Sequence, residues 1–133
     1  MKLLLDTHVW IWWLTGQESL ARADRDALDA LAEKEVPSIS AISLWEAQML
    51  HARGRLALES AFEPWLTQAA APDVVSIVPL SVSVILALND LPTSFRLDPA
   101  DRIIAATSRA HEIPLFTYDR DMRRSRAVSL WKR

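Results

Sequence analysis

Two periods of apolar spacing alternate along the chain. Residues 3–5, 36–40, 74–78, 114–117 and 127–131 have strand character, and the first is a continuous apolar run of the kind buried on both faces of a sheet. Pro37 suits the beginning of the second strand. Helical spacing fills the intervals. Residues 8–14 are apolar nearly all round and carry Trp10, Trp12 and Trp13; Thr7 is placed to cap them and Gly16 to stop them. Residues 18–34 predict a second helix with Leu20, Ala27, Leu28 and Leu31 facing inward. Further helices are expected over 41–52, ending near Gly54, and over 59–70, 81–88 and 99–111, with a Pro92-containing loop at 89–97. Strands alternating with helices from end to end predict a parallel sheet covered on both faces. The expectation is one three-layer α/β/α domain over residues 1–133, without repeats or linkers.

Composition narrows the chemistry. Half of the 133 residues are apolar and only 2 are Gly, which excludes a disordered chain. The net charge of −2 argues against a basic nucleic-acid scaffold, but not against a metal-assisted enzyme acting on phosphates. Without cysteine there is no disulfide framework, thiolate nucleophile or thiolate metal site. The longest apolar stretch, 9–14, is too short for a bilayer, and Asp6 and His8 interrupt any signal-peptide pattern. A cytoplasmic protein that engages no membrane is expected.

The acids carry the most information. Asp6 closes the first apolar run, at the strand end where open α/β sheets bind ligands. Asp119 closes the run at 114–118 in the same way, although a lone Asp there is more often a turn former or a helix cap. On a helical wheel of residues 41–52, Glu46 falls in the arc of Ile42, Trp45, Met49 and Leu50. It is either a site residue or the far half of a capping box with Ser43. Asp98 is a good cap for the helix opened by Pro99, while Asp101 shares its side with Ile104, Ala105 and Ser108 and is the better site residue. Four like charges at one end of a sheet repel one another unless a cation is present. Mg²⁺ or Mn²⁺ suits such oxygen donors, and can lower the pKa of a bound water and neutralise charge at a phosphodiester.

Leu-Leu-Leu-Asp-Thr-His at 3–8, Ser-x-x-Ser-Leu-Trp-Glu at 40–46, Asp-Pro-Ala-Asp-Arg-Ile-Ile-Ala-Ala-Thr at 98–107 and Phe-Thr-Tyr-Asp at 116–119 together resemble a PIN domain, more narrowly the VapC-type toxins of prokaryotic toxin–antitoxin pairs. The resemblance runs through essentially the whole chain. It implies sheet order 3-2-1-4-5 and a Mg²⁺- or Mn²⁺-dependent endoribonuclease, with Asp6, Glu46, Asp101 and Asp119 as the catalytic, metal-binding acids and Glu46 ligating directly or through water. Asp98 matches an additional acid of the family, Thr117 its hydroxyl near the fourth acid, and Thr7 is a further supporting position. A homodimer silenced by a cognate antitoxin is also implied, with the Trp-rich first helix and helices two to four as candidate docking surfaces or, equally, plain core.

Other features are less specific. Arg120, Arg123, Arg124, Arg126, Lys132 and Arg133 crowd the C-terminal end, as phosphate contacts or as a solvated face. His8, His51 and His111 lack metal-ligand spacing, and His8 is expected to be structural. Rival readings are a PIN-like nuclease with a role in RNA processing, an acid-rich phosphatase and a non-enzymatic α/β binding module. Aspartyl-phosphate phosphatases want an acid where His8 stands, and receiver domains want one after the third strand, which ends in Val78 and Pro79.

Overall fold

The computed structural model describes residues 3–92 and 98–133. Its elements run β1 (Leu4–Leu5), α1 (Thr7–Thr15), α2 (Arg22–Lys34), β2 (Ser38–Ser40), α3 (Ala41–Ala52), α4 (Phe62–Ala69), β3 (Ser76–Val78), α5 (Val82–Asn89), α6 (Pro99–His111), β4 (Leu115–Phe116) and α7 (Arg120–Arg124). The strands form one parallel sheet in the order β3-β2-β1-β4. Beyond β4, the expected strand at 127–131 is reduced to one parallel bridge, Leu115 to Leu130, held by the Leu115 N–H to the Ser129 carbonyl at 2.8 Å and the Trp131 N–H to the Leu115 carbonyl at 2.9 Å. The fifth position of the sheet is thus occupied by a touch of chain.

Alternation along β1 sends side chains into two cores. Leu3 and Leu5 join Trp10, Leu28, Ile39 and Phe116 on one face. Leu4 joins Val84, Ile104, Leu115 and Met122 on the other. These two apolar layers, each roofed by helices, make the α/β/α sandwich. Trp10 is fully buried, and its indole N–H donates to the Ala69 carbonyl at 3.0 Å, where α4 would otherwise leave an orphan acceptor. Arg25 of α2 likewise holds the end of α1 and the turn after it, donating to the carbonyls of Trp12, Trp13 and Gln17.

Boundaries of α3 and α6 fall where the sequence put them, while other elements shift. Asp6, not Thr7, caps α1, and Gly16 ends it with φ of 68°. The helix expected from residue 18 begins at Arg22, yet Leu20 and Leu28 are buried as expected. The helix at 59–70 shortens to α4, and the strands at 36–40 and 74–78 to three residues each. The short α7 had no sequence expectation. Positions 93–97 of the expected loop lie outside the described residues.

Replacing Trp10 by Phe strands the Ala69 carbonyl and leaves a void. A loss of roughly 2–4 kcal/mol in urea unfolding is expected, against a near-neutral Trp45→Phe on the surface.

Candidate active site

A parallel sheet brings all its strand ends to one edge, and here the helices that follow begin there too. Asp6 leaves β1 and caps α1, accepting the Thr7 N–H at 2.8 Å. On the neighbouring strand the Thr117 hydroxyl donates to the other Asp6 oxygen at 2.6 Å and accepts the Asp119 N–H at 3.0 Å. Asp119 caps α7 through the Met122 N–H at 2.9 Å, and Asp98 caps α6 through the Asp101 N–H at 2.9 Å. From α3, Glu46 accepts a short hydrogen bond from the Thr7 hydroxyl, whose oxygen lies 2.8 Å from Ser43 Oγ. Thr7 has one proton and Glu46 takes it, so Ser43 is the donor in the second contact.

The capping box expected between Ser43 and Glu46 does not form. Helix α3 starts at Ala41 and is capped by Ser40, leaving Ser43 and Glu46 a turn inside, both aimed at Thr7. The inward stripe of α3 is Ser43, Glu46 and Ala47, so Trp45, expected inward, is 51% exposed. That stripe keeps Glu46 inside, but with polar neighbours.

Asp6, Glu46, Asp98, Asp101 and Asp119 line one open cleft of about 370 Å³, together with His8, Val9, Trp12 and Tyr118. The four acids singled out from the sequence therefore meet, and Asp98 joins them; no Lys or Arg is among these lining residues. Thr7 and Thr117 lie just behind, fully covered, with their hydroxyls on Glu46 and Asp6.

Burial pushes the Asp6 carboxyl above its ordinary range, against the hydrogen bonds from Thr117 and Thr7 and the pull of His8. Glu46 is raised to about 7, mainly by desolvation and then by the charges of Asp6 and Asp98, with the Thr7 bond opposing. Asp101 is raised to about 8 by desolvation and by repulsion from Asp6, Asp98, Glu46 and Asp119. Charge is thus expensive at the cleft, and the residues themselves supply little relief.

Besides the apolar Val9, three cleft residues were given no site role by sequence. His8, expected to be structural, is exposed and faces the acids. Trp12, read as core or interface, and Tyr118, which had only been part of a motif, line the wall beside them. Their positions held a signal: His8 and Trp12 are one helical turn apart on the helix that Asp6 begins, and Tyr118 directly precedes Asp119. The basic C-terminal segment is partly committed elsewhere, Arg123 to the Thr117 carbonyl at 3.1 Å and Arg133 to Asp24 at 2.5 Å.

The chain belongs to the PIN domain family, whose model matches residues 3–127. Among its relatives is Ribonuclease VapC22 of Mycobacterium tuberculosis (strain ATCC 25618 / H37Rv), 36% identical over 132 residues, covering 97% of this chain and 98% of that protein. Among solved structures, a chain of VapBC2 from Rickettsia felis, bound to a DNA fragment from their promoter, superposes with a TM-score of 0.72 over 98% of each chain. At 18% identity that likeness speaks for the fold.

A pH dependence follows from the raised carboxyls. The folded chain holds protons that the unfolded chain releases, so the stability contributed by Glu46 and Asp101 is complete below their ordinary values of 4.5 and 3.8. It is lost as pH rises through about 7 and about 8. In EDTA, the melting temperature of Glu46→Gln is expected to overtake that of wild type between pH 5 and 8, by roughly 3–5 °C for each kcal/mol removed. A pH-independent gap between the two melting curves would contradict the assignment.

Proposed function

We propose that the protein is a Mg²⁺- or Mn²⁺-dependent endoribonuclease that hydrolyses RNA phosphodiester bonds with water and acts as the toxin of a toxin–antitoxin pair. The observation that carries this reading is the meeting of Asp6, Glu46, Asp101 and Asp119, from four separate parts of the chain, in one cleft whose described lining has no basic side chain but His8. The relative named a ribonuclease and the likeness to a chain of VapBC2 support it.

The residues fit a divalent ion by donor chemistry. The acids offer hard carboxylate oxygens, crowded closely enough that each makes its neighbours' charge costly. Among the described residues no three such groups are spaced to close round one ion as they stand. Mg²⁺ needs no closed cage, because it keeps several waters and is held through one or two carboxylates and substrate phosphate. Asp6, Asp101 and Asp119 would hold it, with Glu46 ligating directly or through water. Bound there, the ion lowers the pKa of a water and offsets the charge that builds on the phosphate.

The chain's own part is positioning. Thr117 fixes one Asp6 oxygen and the Thr7 N–H the other, so that the carboxylate cannot turn out of the cleft. Thr7 does the same for Glu46. Its raised pKa of about 7 means that Glu46 holds a proton through part of the neutral range while the cleft is without an ion, and an ion held there would release it.

As partners we propose RNA, a cognate antitoxin and a second copy of the chain. The surface that supports self-association is not the Trp-rich first helix, since Trp10 is core and the Trp13 indole is bonded to Asp29. It lies at α5 and the turn before it, where Leu80, Val82, Ile85 and Leu86 are exposed and Val82 is 75% open. Val82, Ile85 and Leu86 are spaced to share one side of the helix, and exposed apolar surface of this kind marks interfaces. Among the described residues no helix is long and apolar enough to cross a membrane.

Two measurements test this reading. RNA should be cut with Mg²⁺ or Mn²⁺ and not with EDTA, and Asp6→Asn or Asp119→Asn should lower the rate roughly a hundred-fold or more. Asn at 119 still caps α7, so a folded but inactive protein is expected. Equal cleavage under all conditions, or preferential cutting of DNA or of a phosphomonoester, would sink the proposal. Separately, Leu86→Glu is expected to turn a dimer into a folded monomer in light scattering, and a wild-type monomer at high concentration would remove the α5 interface.

A further inference from the structure

The acids occupy only part of the cleft. Apart from Val9 the rest of its wall is aromatic, and the ribonuclease reading gives it no task. Ring centroids of His8 and Trp12 lie 5.7 Å apart, and those of Trp12 and Tyr118 5.6 Å apart with the rings edge to face. Trp12 and Tyr118 are each half-buried: one side packs on the core, and both line the cleft beside the acids.

The Tyr118 ring is also pinned. Its hydroxyl accepts the Ala21 N–H at 2.9 Å and donates to Asp24, which is itself paired with Arg133. Both hydrogen-bonding capacities of the hydroxyl are thus spent on the start of α2, and the ring offers the cleft only its apolar surface. Trp12, between two other rings, has little freedom to rotate. A pinned, half-exposed aromatic surface loses little entropy when a flat ligand packs on it. Every nucleobase has such a flat π-face.

We infer that Trp12 and Tyr118 form a base-stacking subsite, which holds one unpaired RNA base while the acids beside it engage the adjoining phosphate. This rests on the ribonuclease reading for the identity of the polymer. Its consequence is a substrate presented as a single strand or loop, because a base inside a duplex is already stacked and cannot reach a wall of this kind. The subsite reads stacking rather than base edges, so purines are held better than pyrimidines.

The test measures binding, so that it separates from cleavage. Asp6→Asn protein is titrated in Mg²⁺ against a fluorescein-labelled decaadenylate and an abasic ribose-phosphate decamer of equal charge. The base-bearing probe is expected to bind about ten-fold tighter. In the same background Trp12→Leu and Tyr118→Leu should bring the two affinities together, while Trp12→Phe should keep most of the preference. The ratio of the two affinities does not depend on the folded fraction, so a destabilised variant still reports. Equal affinities in the parent protein, or a Trp12→Leu loss of the same factor on both probes, overturns the subsite. Base-dependent binding by a wild type that never cuts RNA would support the subsite and remove the ribonuclease reading; cutting with no base dependence would do the reverse.

Discussion

The buried carboxylate of Asp6 ties three elements together. It caps α1 through the Thr7 N–H, and the Thr117 hydroxyl reaches it from the strand beside its own. The backbone pairing beneath, Asp6 N–H to the Phe116 carbonyl at 3.0 Å, fixes the register that makes this possible. Two hydrogen bonds to a carboxylate favour its charged form, yet burial outweighs them and the group is held above its ordinary range. The sheet edge is therefore arranged round a charge that its own surroundings do not fully support. Each further acid in the cleft adds to that deficit.

Capping and site membership, which seemed to be alternatives for Asp98 and Asp119, turn out to be compatible. Asp6, Asp98 and Asp119 each cap a helix that starts at the cleft, and all three line it. One carboxylate oxygen satisfies the helix amide while the group as a whole stays at the cleft wall. The positive ends of α1, α6 and α7 also point at the acids, partly offsetting their repulsion. Glu46 has no such support: it lies inside α3, and its hydrogen bond comes from the Thr7 hydroxyl.

Much of this was legible because it is local. Apolar runs ended by acids located β1 and β4, and Asp-Pro at 98–99 set the start of α6. What was not legible depends on contacts distant in sequence. The helical wheel put Glu46 on the inward side, as found, but its hydrogen-bond partner Thr7 lies 39 residues away, which no wheel contains. The wheel accordingly chose Trp45 for the interior, where Ser43 and Ala47 are found instead. Helix α7 is mostly charged and has no apolar period to announce it; its inward anchor is Met122 alone. The aromatic wall was hidden for another reason. Trp12 satisfies the pattern of a core residue, and it is one on one side only.

Bulk charge conceals the local field. A net charge of −2 describes a nearly balanced protein, yet five of its 17 acids line a single cleft without a Lys or Arg among the described lining residues. Low-dielectric walls focus such a field, so the potential felt by a phosphate at the cleft is far more negative than the net charge suggests. The cleft can meet that cost in two ways: some of its carboxyls keep a proton, as the raised values of Glu46 and Asp101 require, or a cation enters. On the proposed reading a divalent ion takes the second course, and it would couple positively to RNA, because the ion offsets the repulsion between the acids and the phosphate. Stacking on Trp12 and Tyr118 would add no charge of its own, but the phosphate of the stacked nucleotide would still meet the acids, so the aromatic wall and the ion would act together.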